Sequence, residues 1–157
     1  MEQNPKNLSE VMTQGAVTVE PNLSLQDALE VMRSWGMRHL PVVDEKNQVI
    51  GLISDRDIYR YMALQPTKKL VADAMSTQPF TVKGGERLAA VVKMMANNKY
   101  GCAIVCDLKG EVTGIFTTTD ALFVLSRLLE TKAESEPEFR LMSLEEYLVS
   151  WQGKKTS

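Results

Sequence analysis

The chain has 157 residues, of which 44% are hydrophobic, 24% charged and 6% aromatic, a make-up that can bury a core and that lacks the depleted, highly charged signature of disorder. At roughly 100–200 residues per domain it holds one compact domain, or two small halves sharing a core, and a multi-domain machine is excluded. Lys and Arg number 18 against 20 Asp and Glu, a formal charge of −2, so there is no broad positive field to grip phosphate backbones and no nucleic-acid partner is expected.

The first dozen residues, Met1–Met12, lack the basic-then-apolar layout of a signal peptide, and no stretch approaches the ~20 apolar residues of a membrane span. A cytoplasmic protein with no membrane partner is therefore expected. Val17-Thr18-Val19 reads as a short strand. Leu25, Ala28, Leu29 and Met32 then recur at i, i+3, i+4, i+7, which predicts an amphipathic helix, with Ser24 and Asp27 as its capping pair. His39–Val43, the polar turn Asp44–Asn47 and Val49–Ile53 read as a β-hairpin, and Arg56–Ala63 as a second helix.

An offset of 63 residues brings the pattern round again without a gap. Phe80-Thr81-Val82 falls on the first strand, and Leu88, Val91, Val92 and Met95 on the helical stripe, this time after Gly84-Gly85. Cys102–Cys106, Asp107–Gly110 and Val112–Phe116 fall on the hairpin, and Asp120–Leu129 on the closing helix. The unit is β-α-β-β-α, twice, over residues 8–66 and 70–130. About 60 residues are marginal alone, so the two copies are expected to pack sheet to sheet about a pseudo-two-fold axis, in an α+β fold whose clefts come in pairs. Cys102 and Cys106 lie four apart in one strand, about 13 Å, too far for a disulfide, which suits a reducing compartment.

After Leu129 the composition shifts to a charged linker, placed at 131–142. Ser143–Trp151 reads as a capped helix within 143–153, its apolar face formed by Leu144, Tyr147, Leu148 and Trp151. That face needs burial in its own domain, in a dimer mate, in a partner protein, or as a lid over a cleft.

The chemistry gathers at Gly51-Leu-Ile-Ser54-x-x-Asp57 and Gly114-Ile-Phe-Thr117-x-x-Asp120. In each a strand ends and a helix begins near a hydroxyl. A helix N-terminus suits phosphate, and a carboxylate, which only accepts hydrogen bonds, suits a pair of ribose hydroxyls. The same spacing is also a capping box that merely closes its own helix. His39, the single histidine, has no second histidine with which to hold a metal. The cysteines lack a CxxC spacing, so neither a metal centre nor a thiol nucleophile is expected.

With Arg38-His-Leu-Pro-Val-Val-Asp44 and Val11-Met12…Val17-Thr-Val-x-Pro21, these motifs resemble the tandem CBS pair, or Bateman module, over about residues 8–130. The resemblance implies a stand-alone regulatory module, not an enzyme. It needs no cofactor and binds an adenine nucleotide or adenosyl compound such as AMP, ADP, ATP, S-adenosylmethionine or an NAD-type ligand. It implies that Asp57 and Asp120 each hold a ribose, with Ser54, Arg56, Thr117 and Thr119 beside sugar and phosphates. The base would lie against the opposite copy: Met12, Val17, Met37, Arg38 and His39 for the Asp120 cleft, and Met75, Phe80, Tyr100, Gly101 and Cys102 for the Asp57 cleft. Arg56 departs from the small polar residue usual there, and the Asp120 cleft is favoured if one alone is filled. A homodimer is expected, and the C-terminal helix is read as packing on its own domain or dimer mate, with a protein partner as the alternative. The alternative is a dimerising interaction scaffold with vestigial clefts.

Overall fold

A computed structural model describes residues 4–64 and 69–130 of the chain; the linker at 131–142 and the helix expected at 143–153 lie outside the described residues. In the first copy, Thr13–Gln14 (β1) precede Leu25–Ser34 (α1), the hairpin His39–Val43 (β2) and Val49–Ser54 (β3), and Asp55–Leu64 (α2). The second runs through Val71–Ala74 (α3), Thr81–Lys83 (β4), Leu88–Asn98 (α4), Cys102–Cys106 (β5), Val112–Thr117 (β6) and Thr118–Glu130 (α5). The sequence periodicity accounts for these elements directly. Leu25, Ala28, Leu29 and Met32 are all buried, as are Leu88, Val91 and Met95, with Val92 partly covered. Ser24 caps α1 by accepting the Asp27 N–H at 3.0 Å.

The hairpins match turn for turn. Asp44 Oδ1 accepts from the Lys46 and Gln48 N–H groups, and Asp107 Oδ1 from those of Lys109 and Glu111. Positive φ falls on Asn47 (59°) and Gly110 (87°), at the same place in each turn. β2 pairs antiparallel with β3 and β5 with β6, each with a bulge at the matching step, Val42/Val43 and Val105/Cys106.

One expected strand is much shorter than its counterpart. In the second copy β4 runs parallel to β5, and the Ile104 N–H donates to the Phe80 carbonyl at 2.9 Å. In the first copy Val17–Val19 makes only the single bridge Val19↔Val42. The residue matching Ile104 is Pro41, which has no N–H to offer Val17. The ladder loses that rung, and since Ser76 also makes only a single bridge to Leu52, the sheets are four-stranded (β1-β6-β5-β4) and two-stranded (β2-β3).

The copies are joined reciprocally. Thr13 pairs with Ile115 and, at the positions 63 residues displaced, Ser76 pairs with Leu52; Asn7 pairs with Arg87, and Leu70 with Ser24. Gln48 and Glu111, which exchange under the same offset, pair with each other and so mark the pseudo-two-fold axis. The leading segment of each copy completes the core of the other. Leu8, Val11 and Met12 pack with Leu88, Val91, Met95, Ala103, Val105 and Phe116, while Val71, Ala74 and Met75 pack with Leu25, Ala28, Leu40, Ile53 and Ile58. Each core thus draws on both copies, and neither half of the sequence can close its own. Two glycines permit the crossing strands to approach. A Cβ at Gly51 would lie 2.7 Å from Met75 Sδ and 2.9 Å from the Ser76 carbonyl, and one at Gly114 would lie 2.6 Å from the Thr13 carbonyl.

Candidate functional site

Where β6 passes into α5, Thr117 and Asp120 lock onto one another. Asp120 Oδ2 accepts from the Thr117 N–H (2.7 Å) and hydroxyl (2.7 Å), and the Asp120 N–H donates back to the Thr117 hydroxyl (3.2 Å). Ser54 and Asp57 repeat the arrangement between β3 and α2, at 3.1, 2.6 and 3.2 Å. The capping-box reading is therefore right about local structure. It does not exhaust the carboxylates, since among the described residues only Oδ2 of each is engaged, and Oδ1 keeps its acceptor capacity.

A cavity of about 520 Å³ opens beside Asp120, a size that suits a small organic ligand. One wall is the end of β6 and the first turn of α5: Ile115, Thr117, Thr118, Thr119 and Asp120. The opposite wall belongs to the other copy: Thr13–Val17 from the leading segment, and Trp35–His39 and Pro41 from the end of α1 and the start of β2. α5 is 13 residues long, and the partial positive charge at its N-terminus borders the cavity. Arg38 lines the same space. Apolar surface from Val17, Met37 and Ile115 thus faces hydroxyls, one carboxylate and one guanidinium.

Of the residues expected at this cleft, Val17, Met37, Arg38, His39, Thr117, Thr119 and Asp120 are gathered around one space. Met12 is not among its lining; it packs at the edge of the second core, with its Sδ 3.0 Å from where a Gly114 Cβ would sit. The reading of the sequence missed Thr13, Gln14, Gly15 and Ala16, which line the cavity because β1 adds to the far copy's sheet. Trp35 also stands at the cavity, with 69% of its surface exposed.

On the Asp57 side, Ser54 and Asp57 form the second cap, and Arg56 follows in the first turn of α2, where its N–H donates to Asp55 Oδ1 (2.7 Å). Met75 packs under Gly51. Phe80 and Tyr100 stack on one another, with ring centroids 5.0 Å apart and planes 25° from parallel. Gly101 lies beneath the His39 ring, whose Nε2 would be 2.7 Å from a Cβ there. Cys102 is buried, and burial pushes its thiol up to about 12, which removes the thiolate a nucleophile needs.

His39 stands between the two sides. It lines the Asp120 cavity, pairs in the sheet with Ser54, and covers Gly101. Burial lowers its pKa below 6.5, with Arg38 acting in the same direction and Asp55 and Asp57 opposing. At neutral pH the ring is neutral, with one donor and one acceptor nitrogen. Among the described residues no cluster of His, Cys, Asp or Glu could hold a metal ion, and no helix is long and apolar enough to cross a membrane.

The family model for the CBS domain matches residues 8–64 and 71–127. The chain belongs to the CBS domain family and carries two copies of the domain in tandem. It is 30% identical over 117 residues to an uncharacterized protein of Methanocaldococcus jannaschii, spanning 74% of this chain and 41% of that relative's length. Among solved structures it resembles a CBS domain pair in complex with 5′-methylthioadenosine and S-adenosyl-L-methionine, with a TM-score of 0.71 and 27% identity over 82% of this chain and 99% of that one. It also resembles CBSX2 of Arabidopsis thaliana in complex with AMP, with a TM-score of 0.69 and 25% identity over 82% and 99% of the two chains.

Proposed function

We propose that this chain is a non-catalytic regulatory module that binds an adenosine-containing ligand in the Asp120 cavity. The observation that carries the reading is the meeting, around one space of about 520 Å³, of a helix-start carboxylate with an unengaged oxygen and an apolar wall supplied by the other copy. In this reading Asp120 Oδ1 accepts from the ribose hydroxyls, and Val17 and Met37 sandwich the base. Thr119, Arg38 and the N-terminus of α5 take any phosphate. The ligands named for the two related structures, AMP in one and 5′-methylthioadenosine with S-adenosyl-L-methionine in the other, support the adenosyl class without choosing within it. Binding rather than catalysis fits the carboxylates. Each is tied to its own helix cap, and neither has a second titratable side chain hydrogen-bonded to it among the described residues.

The reading includes a homodimer in a reducing cytoplasm. The groove between α4 and α5, about 400 Å³ and lined by Val92, Met95, Ala96, Tyr100, Ala121 and Leu122, is apolar, and Leu122 and Phe123 beside it are 65% and 68% exposed. The offset of 63 puts a like face, with Tyr59 and Met62 exposed, on α2. Two matching faces on one chain suit a second copy as occupant. Titration calorimetry with AMP, ADP, ATP, S-adenosylmethionine and NADH, repeated on Asp120→Ala, tests the ligand reading. At least one ligand binds the wild type, and the variant loses at least tenfold in affinity. The absence of heat with every ligand leaves the dimerising scaffold as the better account.

A further inference from the structure

The same 63-residue offset that carries Thr117 and Asp120 onto Ser54 and Asp57 carries Val17 onto Phe80 and Met37 onto Tyr100. At the Asp120 cavity both residues of the first pair line open space, whereas on the Asp57 side the second pair is two aromatic rings in contact, centroids 5.0 Å apart. Inserting a flat base between two rings needs about 7 Å, twice a van der Waals contact. The rings also gain from each other what a purine would give them. The ribose end of that side is intact, with the Ser54–Asp57 cap reproducing the Thr117–Asp120 cap bond for bond. Asp57 Oδ1 has no partner among the described residues.

We infer that Phe80 and Tyr100 form an internal plug that occupies the base position of the Asp57 cleft, so that the chain takes one adenosine-containing ligand where its repeat suggests two. The two clefts differ in the slot for the base, while the carboxylate that would hold the sugar is capped alike in both. His39 adds to the asymmetry, because its ring fills the space over Gly101, the position that Arg38 holds in the other cleft. The plug makes Phe80 and Tyr100 determinants of ligand number while leaving Asp57 competent.

The inference rests on the proposed function, and stoichiometry separates the two. With AMP as probe, titration calorimetry on the full chain gives one site for the wild type and for Tyr100→Phe, which keeps the stack. It gives two sites for Phe80→Ala and for Tyr100→Ala, and one again for Phe80→Ala combined with Asp57→Ala. Two sites in the wild type, or a single site in both alanine variants with cooperative melting retained, overturns the plug. A wild type that binds neither AMP nor any of the other four adenosyl ligands contradicts the proposed function alone. The plug is then judged by whether Phe80→Ala gains a site that Asp57→Ala removes, and no gain overturns it.

Discussion

His39 matches Cys102 in the second copy, and its depressed pKa makes it a reporter on folding. The unfolded ring titrates near 6.5 and the folded one lower, so between those two values the unfolded state binds more protons and stability falls as pH falls. Above 6.5 both forms are neutral and the penalty vanishes. Thermal melts at pH 7.5 and 5.5 should show a loss for the wild type that is smaller in His39→Gln; an equal loss in both would mean that the ring is not buried as described. The two caps make a second residue-level prediction. Asp57→Ala and Asp120→Ala each remove the partner of a helix-start hydroxyl and N–H, and urea denaturation should register about 1 kcal/mol for either. The buried thiols give a third. Cys102, held up to about 12 by burial, should resist a thiol reagent at pH 8 in the native chain and react at once in denaturant.

Among elements, the exchanged leading segments do most to build the site, and they were the hardest to read in advance. The stripe Leu25, Ala28, Leu29, Met32 and its copy announce two helices, because ten or eleven residues give a period room to show. β1 has two residues and α3 four, too few for any period, so nothing local said that Leu8 would complete the core of the second copy or that Thr13–Ala16 would wall the cavity. The shortened first strand follows from Pro41, visible in the sequence but telling only once its partner Val17 is known. Gly114 is the point at which this arrangement can be tested. An added methyl there meets the Thr13 carbonyl at 2.6 Å, and a backbone atom cannot step aside as a side chain can. Gly114→Ala should cost about 1–3 kcal/mol in denaturant unfolding and weaken ligand binding as well, since displacing β1 moves the cavity wall.

For the whole molecule, the duplication explains both the paired caps and the exchange of segments, and the departures from it explain what a repeat alone conceals. The offset of 63 made Asp57 and Asp120 equivalent in the sequence; the stacking of Phe80 on Tyr100 makes them unequal, and ring contacts across 20 residues leave no mark in spacing. The exposed faces of α2 and of α4 with α5 bear on association. Leu122→Glu should convert a dimer to a monomer in light scattering, whereas a wild-type monomer would remove this surface from the account. The central claim, that the Asp120 cavity is an adenosine site, is met most directly by a crystal structure grown with AMP. The expected density places the base between Val17 and Met37 and the ribose hydroxyls on Asp120 Oδ1; a nucleotide bound elsewhere, with the Asp120 cavity empty, would contradict it.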